Sequence, residues 1–221
     1  MAQRPSLSAR YMWFLIGVVI TAFGIAFITK AALGTTPITS LPYVMSFRFA
    51  PSIGVFTFIL NFLFIVLQAV LLRREFALIQ WLQLLVNVVF SAAIDISMWA
   101  LGWMNPQDLW LQLIVIVIGC AILAFGIAVQ VAPGVLAVPG EGAVRAIAIV
   151  SRIRFGTIKV AFDWTLIAIA TICSFAFFQE LRGVGLGTIL SAFLVGVFVN
   201  VYFTRLTWLG KLNPPPLALD D

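Results

Sequence analysis

The sequence predicts an all-α membrane protein: six transmembrane helices as two inverted three-helix repeats, each with a short re-entrant or interfacial segment. Three observations carry that expectation. The 221 residues are 63% hydrophobic and 10% charged, with a mean hydropathy of +1.14. A soluble domain carries about 25% charged residues, so this chain lacks the polar side chains to face water all round. Six apolar stretches of about 20 residues each use up nearly the whole length and leave no room for a soluble domain. Finally, Ala22-Phe23-Gly24-Ile25-Ala26 returns as Ala124-Phe125-Gly126-Ile127-Ala128, 102 positions later. The same offset carries Pro37 onto Pro139, Gly54 onto Gly156 and Asn61 onto Asp163. A pentapeptide of small and apolar residues recurs easily; a proline, a glycine and a polar position in one register do not.

The first helix is expected from about Tyr11 to Lys30, opened by Tyr11 and Trp13 as interfacial aromatics. It is too long for a signal-peptide core and has no convincing cleavage site, so it is read as retained. Leu33 to Pro42 follows, with two prolines, a glycine and four hydroxyl side chains in ten residues, a stretch no unbroken helix would tolerate. Tyr43 to Phe49 can be helical but cannot span. The second helix covers about Pro51 to Leu72 and stops at Arg73-Arg74-Glu75. The third covers about Leu78 to Leu101, before the turn Asn105-Pro106-Gln107-Asp108. The fourth spans about Leu111 to Val131. A second broken stretch, Ala132 to Gly142, then leads into a short amphipathic segment, Ala143 to Arg154. The fifth and sixth helices cover about Phe155 to Phe178 and Val184 to Trp208. Residues 1–10 are thus a cytoplasmic N-terminal tail, 11–101 and 110–208 the two membrane repeats, and 209–221 a cytoplasmic disordered tail.

Orientation follows from charge. With six crossings and the N-terminus inside, ten of the 13 basic residues fall on the inner side; Lys30, Arg48 and Arg182 fall outside. Three crossings per copy is odd, so the second copy enters from the opposite side, and the repeats are related by a pseudo-two-fold axis in the membrane plane. The net charge of +5 belongs to helix ends and lipid headgroups rather than nucleic acid.

Enzymatic chemistry is not expected. The chain has no histidine and only two cysteines, both inside apolar runs, so neither a disulfide, a metal site nor a cofactor is predicted. Gly183, Gly185 and Gly187 follow no strand and read as a tight turn and close helix contact, not a nucleotide loop. Ala22, Gly24 and Ala26, with their copies, read as a small-residue surface where helices approach, across the pseudo-two-fold axis.

The broken stretches, with Gly34, Pro37, Gly134 and Pro139 as hinge positions, are either surface loops with interfacial helices or a re-entrant pair lining a path. Irregular backbone survives at membrane depth only when it is buried in protein or lines a watery cavity. The candidate path residues are Thr35, Thr36, Thr39 and Glu141 on those stretches, with Asn61, Asp95, Asp163 and Asn200 inside the helices. Asp163 lies roughly 12 Å deep at 1.5 Å per residue. Each copy pairs an acid with an amide: Asn61 with Asp95, Asp163 with Asn200. The carboxylates either bind a coupled cation or proton, or are held structurally, Asp163 by Lys159 and Glu141 by Arg145. Asn87 and Gln83 could bridge helices.

Leu33 to Val44, followed by Gly54 to Asn61, resembles the YczE/YyaS/YitT-like group of bacterial integral membrane proteins. That resemblance implies a multi-pass bacterial inner-membrane protein and supplies neither a substrate nor site residues. The second copy departs from the first, with Glu141 where Thr39 stands and Val144 where Pro42 stands. The expected function is secondary transport of a small solute or ion by alternating access. The alternative is a non-transporting accessory or assembly partner of another membrane protein. Lipid is the one certain partner; oligomeric state is open.

Overall fold

A computed structural model describes residues 5–212. Eight α-helices follow one another: α1 (Leu7–Lys30), α2 (Pro37–Arg48), α3 (Ile53–Leu72), α4 (Leu82–Ala100), α5 (Leu109–Val131), α6 (Pro139–Ser151), α7 (Phe155–Phe178) and α8 (Leu186–Arg205). Six of them, α1, α3, α4, α5, α7 and α8, are long and apolar enough to cross a membrane. Two, α2 and α6, are not. The chain is a multi-pass membrane protein, all-helical among the described residues.

The broken stretches are shorter than the sequence suggested. Pro37 and Pro139 do not interrupt helices; each stands at the first position of one, where a missing N–H costs nothing and the fixed φ favours the first turn. Pro42 sits inside α2. The breaks themselves are residues 31–36 and 132–138. Both open on a left-handed residue at equivalent places: Ala32 at φ 61° and Gly134 at φ 59°. The third spanning helix begins at Leu82, after a 3₁₀ turn over Leu78–Trp81. At the C-terminus, Leu209–Lys211 form a 3₁₀ turn, and Leu209 and Leu212 are buried against Ala128, Val129 and Ala132 of α5 and its end. That part of the expected disordered tail is therefore packed; residues 213–221 lie outside the described residues. Trp13 packs against Trp208 in a tilted pair, with ring centroids 5.5 Å apart.

The centre of the molecule is the crossing of α1 and α5, and glycines make it possible. Gly17 lies on the backbone of Gln130, and Gly24 lies on Leu123 so closely that a Cβ would sit 2.5 Å from its nitrogen. From the other side, Gly119 meets Ile28, and a Cβ on Gly126 would sit 2.5 Å from the nitrogen of Thr21. Numbers rise along α1 as they fall along α5, so the two helices run antiparallel. The four approaches also form two pairs: replacing each residue by the one 102 positions away turns the first pair of contacts into the second.

Neighbouring helices repeat this pattern. α4 packs on α1, and α8 on α5; α2 packs on α7, and α6 on α3; α2 also meets α3, and α6 meets α7. Leu33 of the first break joins the α5–α8 side of the core, while Val135 and Val138 of the second join Phe14, Val18 and Val86 on α1 and α4. A further cluster mixes Leu60 and Phe64 with Phe162 and Leu166, which stand 102 residues apart, and adds Ala143 and Ile38. Two relations are not repeated. α2 meets α8, whereas α6 and α4 make little contact. α3 and α4 pack closely, whereas α7 and α8 make little contact beyond the turn that joins them.

Candidate functional site

Most polar side chains of the spanning region lie on three structures: the first break, the second break with α7, and the α3–α4 interface.

At the first break, Thr35 and Thr39 are fully buried and Thr36 nearly so. Their hydroxyls form a chain with Thr29: Thr29 to Thr35 at 2.7 Å, Thr35 to Thr39 at 3.0 Å and Thr36 to Thr39 at 2.7 Å. The Thr29 hydroxyl also donates to the Ile25 carbonyl at 2.7 Å. The irregular backbone is satisfied by the first turns of α8. Gly187 N–H donates to the Leu33 carbonyl at 2.8 Å, Ser191 Oγ donates to the Thr35 carbonyl at 3.3 Å, and Thr35 N–H donates to Thr188 Oγ1 at 3.3 Å. Gly34, at φ 112°, lies directly on Thr188 Oγ1. The backbone groups freed at Leu33 and Thr35 thus find protein partners, as irregular backbone away from water must. Above it opens a crevice of about 490 Å³, lined among others by Gly34, Tyr43, Phe47, Arg182 and Gly185.

At the second break, α6 begins at Pro139 with its first turn buried. The Gln68 amide of α3 donates to the Pro139 carbonyl at 3.1 Å, and Gly142 lies against Gln68 Oε1. The Ile38 side chain of α2 reaches Gly140, at the residue 102 positions on, so the first turns of the two short helices meet inside the bundle. Glu141 lies between, deep among protein atoms although part of its surface stays open. Burial raises the pKa of its carboxyl, and Lys159 of α7 pulls it the other way. Lys159 itself donates to Asp163 Oδ1 at 2.6 Å. The expected Glu141–Arg145 pair does not form; Arg145 is exposed, and the cation acting on Glu141 comes from the neighbouring helix. A four-residue spacing permits a pair, but here α7 offers Glu141 a cation on its buried side and Arg145 points away.

The third structure is a polar seam along α3 and α4. On α4, Gln83, Asn87, Ser91 and Asp95 follow one another at four-residue spacing, and so share one face. At one end Ser52 Oγ donates to Asp95 Oδ2 at 2.6 Å and Gly54 N–H donates to Asp95 Oδ1 at 2.9 Å. The carboxylate thus caps the first turn of α3, where free N–H groups and the helix dipole favour an anion. In the middle, Asn61 Nδ2 donates to Asn87 Oδ1 at 3.0 Å, and Asn87 Nδ2 donates to the Phe58 carbonyl at 2.9 Å. At the far end Gln68 and Gln83 exchange amide hydrogen bonds of 3.1 and 3.2 Å, and Gln83 also donates to Gln80 at 2.6 Å.

The two acid–amide pairs expected from the sequence are therefore not what the fold brings together. Asn61 pairs with Asn87 rather than Asp95, because Asp95 lies two turns further along α4, level with the start of α3. Asn200 is exposed on α8, and Asp163 is held by Lys159. Thr29, Thr57, Gln68, Ser91, Thr188 and Ser191 are buried polar residues the sequence reading passed over. The four-residue ladder on α4 was the signal that could have found the seam.

Residues 8–204 match the model of a family of unknown function, DUF6198. The chain belongs to this family. A relative in Bacillus subtilis (strain 168), the uncharacterized protein YyaS, is 23% identical over 198 residues, covering 87% of this chain and 92% of the relative. A YyaS-like membership, expected from Leu33–Val44 and Gly54–Asn61, is thus shown. No solved structure matches this DUF6198 chain.

Proposed function

We propose that this DUF6198 chain is a secondary transporter of a small solute, working by alternating access between two inverted repeats in a bacterial plasma membrane, with both termini cytoplasmic. The observation that carries the reading is the meeting of Ile38 with Gly140. Two short helices, each buried at its first turn, converge on one region, and the excess of basic residues expected on the inner side supports breaks that enter from opposite sides. The paired α1–α5 glycine contacts support the inversion, since an antiparallel crossing of two equivalent helices is what a two-fold axis in the membrane plane produces.

The difference between the copies then corresponds to one state of a cycle. On the first copy, α4 is zipped to α3 and the break is clasped to α8. On the second, α7 and α8 leave a common turn and part, so that Lys159 and Asp163 remain partly open. That is an inward-facing arrangement. Exchanging the two conformations would part α4 from α3 at the outer end, release Asp95 from Ser52 and Gly54, and close α8 on α7.

Single cysteines test this on a background lacking Cys120 and Cys173. Lys159→Cys should react with a membrane-impermeant thiol reagent from the inner side. Thr57→Cys, the equivalent position, should be protected in that state and react only from the outer side. Reactivity of both from one side would overturn the inversion. Protection of both under every condition would favour the accessory-partner reading, to which the closed first break already lends some weight.

A further inference from the structure

The 102-residue correspondence can be applied to the neighbourhood of Glu141. Three positions are linked there: Lys159 on α7 acts on Glu141 of α6 and is bonded to Asp163 on its own helix. Their counterparts in the first copy are Thr39 on α2, with Thr57 and Asn61 on α3. The first-copy set is neutral throughout and buried, and Thr57 Oγ1 has no partner. The second-copy set carries two carboxylates and one ammonium. Lys159 spends its direct contact on Asp163 at 2.6 Å, which leaves Glu141 as the acid without a cation of its own. No hydrogen bond or ion pair joins the Glu141 side chain to another described residue.

We infer that Glu141 is a proton-exchange site whose occupancy is set by the Lys159–Asp163 pair. The charge balance drives it. A lone carboxylate among protein atoms is costly when ionised, and protonation removes the cost. Among the described residues the cation acting on Glu141 is Lys159, which can serve one acid fully and the other at a distance.

The elements packed around Glu141 carry few other ionisable groups among the described residues. α3, packed on α6, has no ionisable residue and presents Gln68. α7 presents Lys159 and Asp163. α2 meets α6 through Ile38, with Tyr43 and Arg48 towards its far end, and the break over residues 132–138 is uncharged. On α6 itself Arg145 is exposed. Glu141 retains an open part of its surface, as exchange with bulk requires. The site's use in transport rests on the reading above, but its detection does not.

Dicyclohexylcarbodiimide, which modifies protonated carboxyls in apolar surroundings, is the probe. It is added to the purified full-length chain in lipid nanodiscs across a pH series, and modification is located by peptide mass spectrometry. Glu141 should be labelled increasingly as pH falls and Asp163 spared. Lys159→Met, which removes the one cation acting on Glu141, should move half-labelling of Glu141 to higher pH. Asp163→Asn, which frees Lys159 for Glu141, should move it lower. Glu141→Gln serves as the blank.

Labelling of Glu141 that ignores pH, or a half-point unmoved by both substitutions, would overturn the assignment. So would no labelling at any pH. Protection by sodium chloride but not by choline chloride at constant pH would replace the proton with a sodium ion. Labelling as described, combined with failure of the cysteine experiment, would keep the proton site and remove the transport cycle.

Discussion

Adding one methyl group at the centre of the molecule should be costly twice over, and equally so. Gly24→Ala places a Cβ 2.5 Å from the Leu123 nitrogen, and Gly126→Ala places one 2.5 Å from the Thr21 nitrogen, where ordinary contacts begin near 3.4 Å. Backbone cannot rotate aside as a side chain can, so α1 and α5 must separate by about 1 Å. On a dispersion potential such a gap forfeits roughly a quarter to a half of the attraction across it. Overpacking of this kind costs about 1–3 kcal/mol, against which alanine recovers about 0.5–1 kcal/mol of helix propensity. A net loss of about 1–2 kcal/mol is expected for each variant, or roughly 2–8 °C in unfolding midpoint for a chain of this size.

The assay is built into the core. Cys120, one residue after Gly119 and fully buried, becomes reactive to a fluorogenic thiol dye when α5 leaves α1. Gly196→Ala is the control: nothing lies within 4 Å of its added methyl, so it should stabilise slightly. If Gly24→Ala behaves like that control, the close crossing is wrong. If Gly24→Ala and Gly126→Ala differ by more than about 1 kcal/mol, the two faces are not equivalent and the correspondence fails.

Three other outcomes follow from local geometry. Ala32 is exposed and holds φ 61°, a conformation costing about 1–2 kcal/mol for a residue with a Cβ; less the roughly 0.4–1 kcal/mol of chain entropy that glycine adds to the unfolded state, Ala32→Gly, matching Gly134, should gain about 1 kcal/mol and raise the midpoint by roughly 2–4 °C. Asn61→Leu leaves the Asn87 carbonyl oxygen without its donor and should lose about 1–3 kcal/mol in the same dye assay, much of it regained in the Asn61→Leu, Asn87→Leu double variant. Gly54→Ala drives a methyl into the Ser91 carbonyl and Asp95 and should destabilise by about 1–3 kcal/mol, while Gly156→Ala, with open space around it, should be neutral or slightly stabilising.

The number of spans was legible because lipid imposes a crude rule: about 20 apolar residues per crossing, whatever their detailed contacts. The breaks were legible as breaks, from Gly34, Pro37, Gly134 and Pro139, but their extent was misjudged. Proline forbids a helix interior far more strongly than a first turn, and the sequence alone does not say which position Pro37 or Pro139 occupies. Polar partners were the least legible part. Asn61 and Asp95 were set together as one copy's amide and acid, whereas the carboxylate takes the Ser52 hydroxyl and the Gly54 N–H at the start of α3, two turns away from Asn61. Lys159 was read only as a mate for Asp163, because four-residue spacing is visible in a sequence and a contact from α7 to α6 is not.

Under the proposed repeat, Gly54 and Gly156 are equivalent positions with different surroundings. They stand 102 residues apart, each at the second position of its helix. At Gly54 the backbone of α4 presses so close that no side chain fits; at Gly156 nothing approaches. A glycine at Gly54 is explained by the contact it permits. Nothing in this arrangement requires one at Gly156. On the proposed cycle, Gly156 would meet α8 in a state where α7 and α8 close as α3 and α4 close here. Gly156→Ala should then leave folding untouched and yet hold the chain inward-facing, with Lys159→Cys reactive from the inner side under every condition. A closed state reached as readily with alanine at 156 would show that the difference between the copies is fixed, and that this chain is a scaffold rather than a machine with two ends.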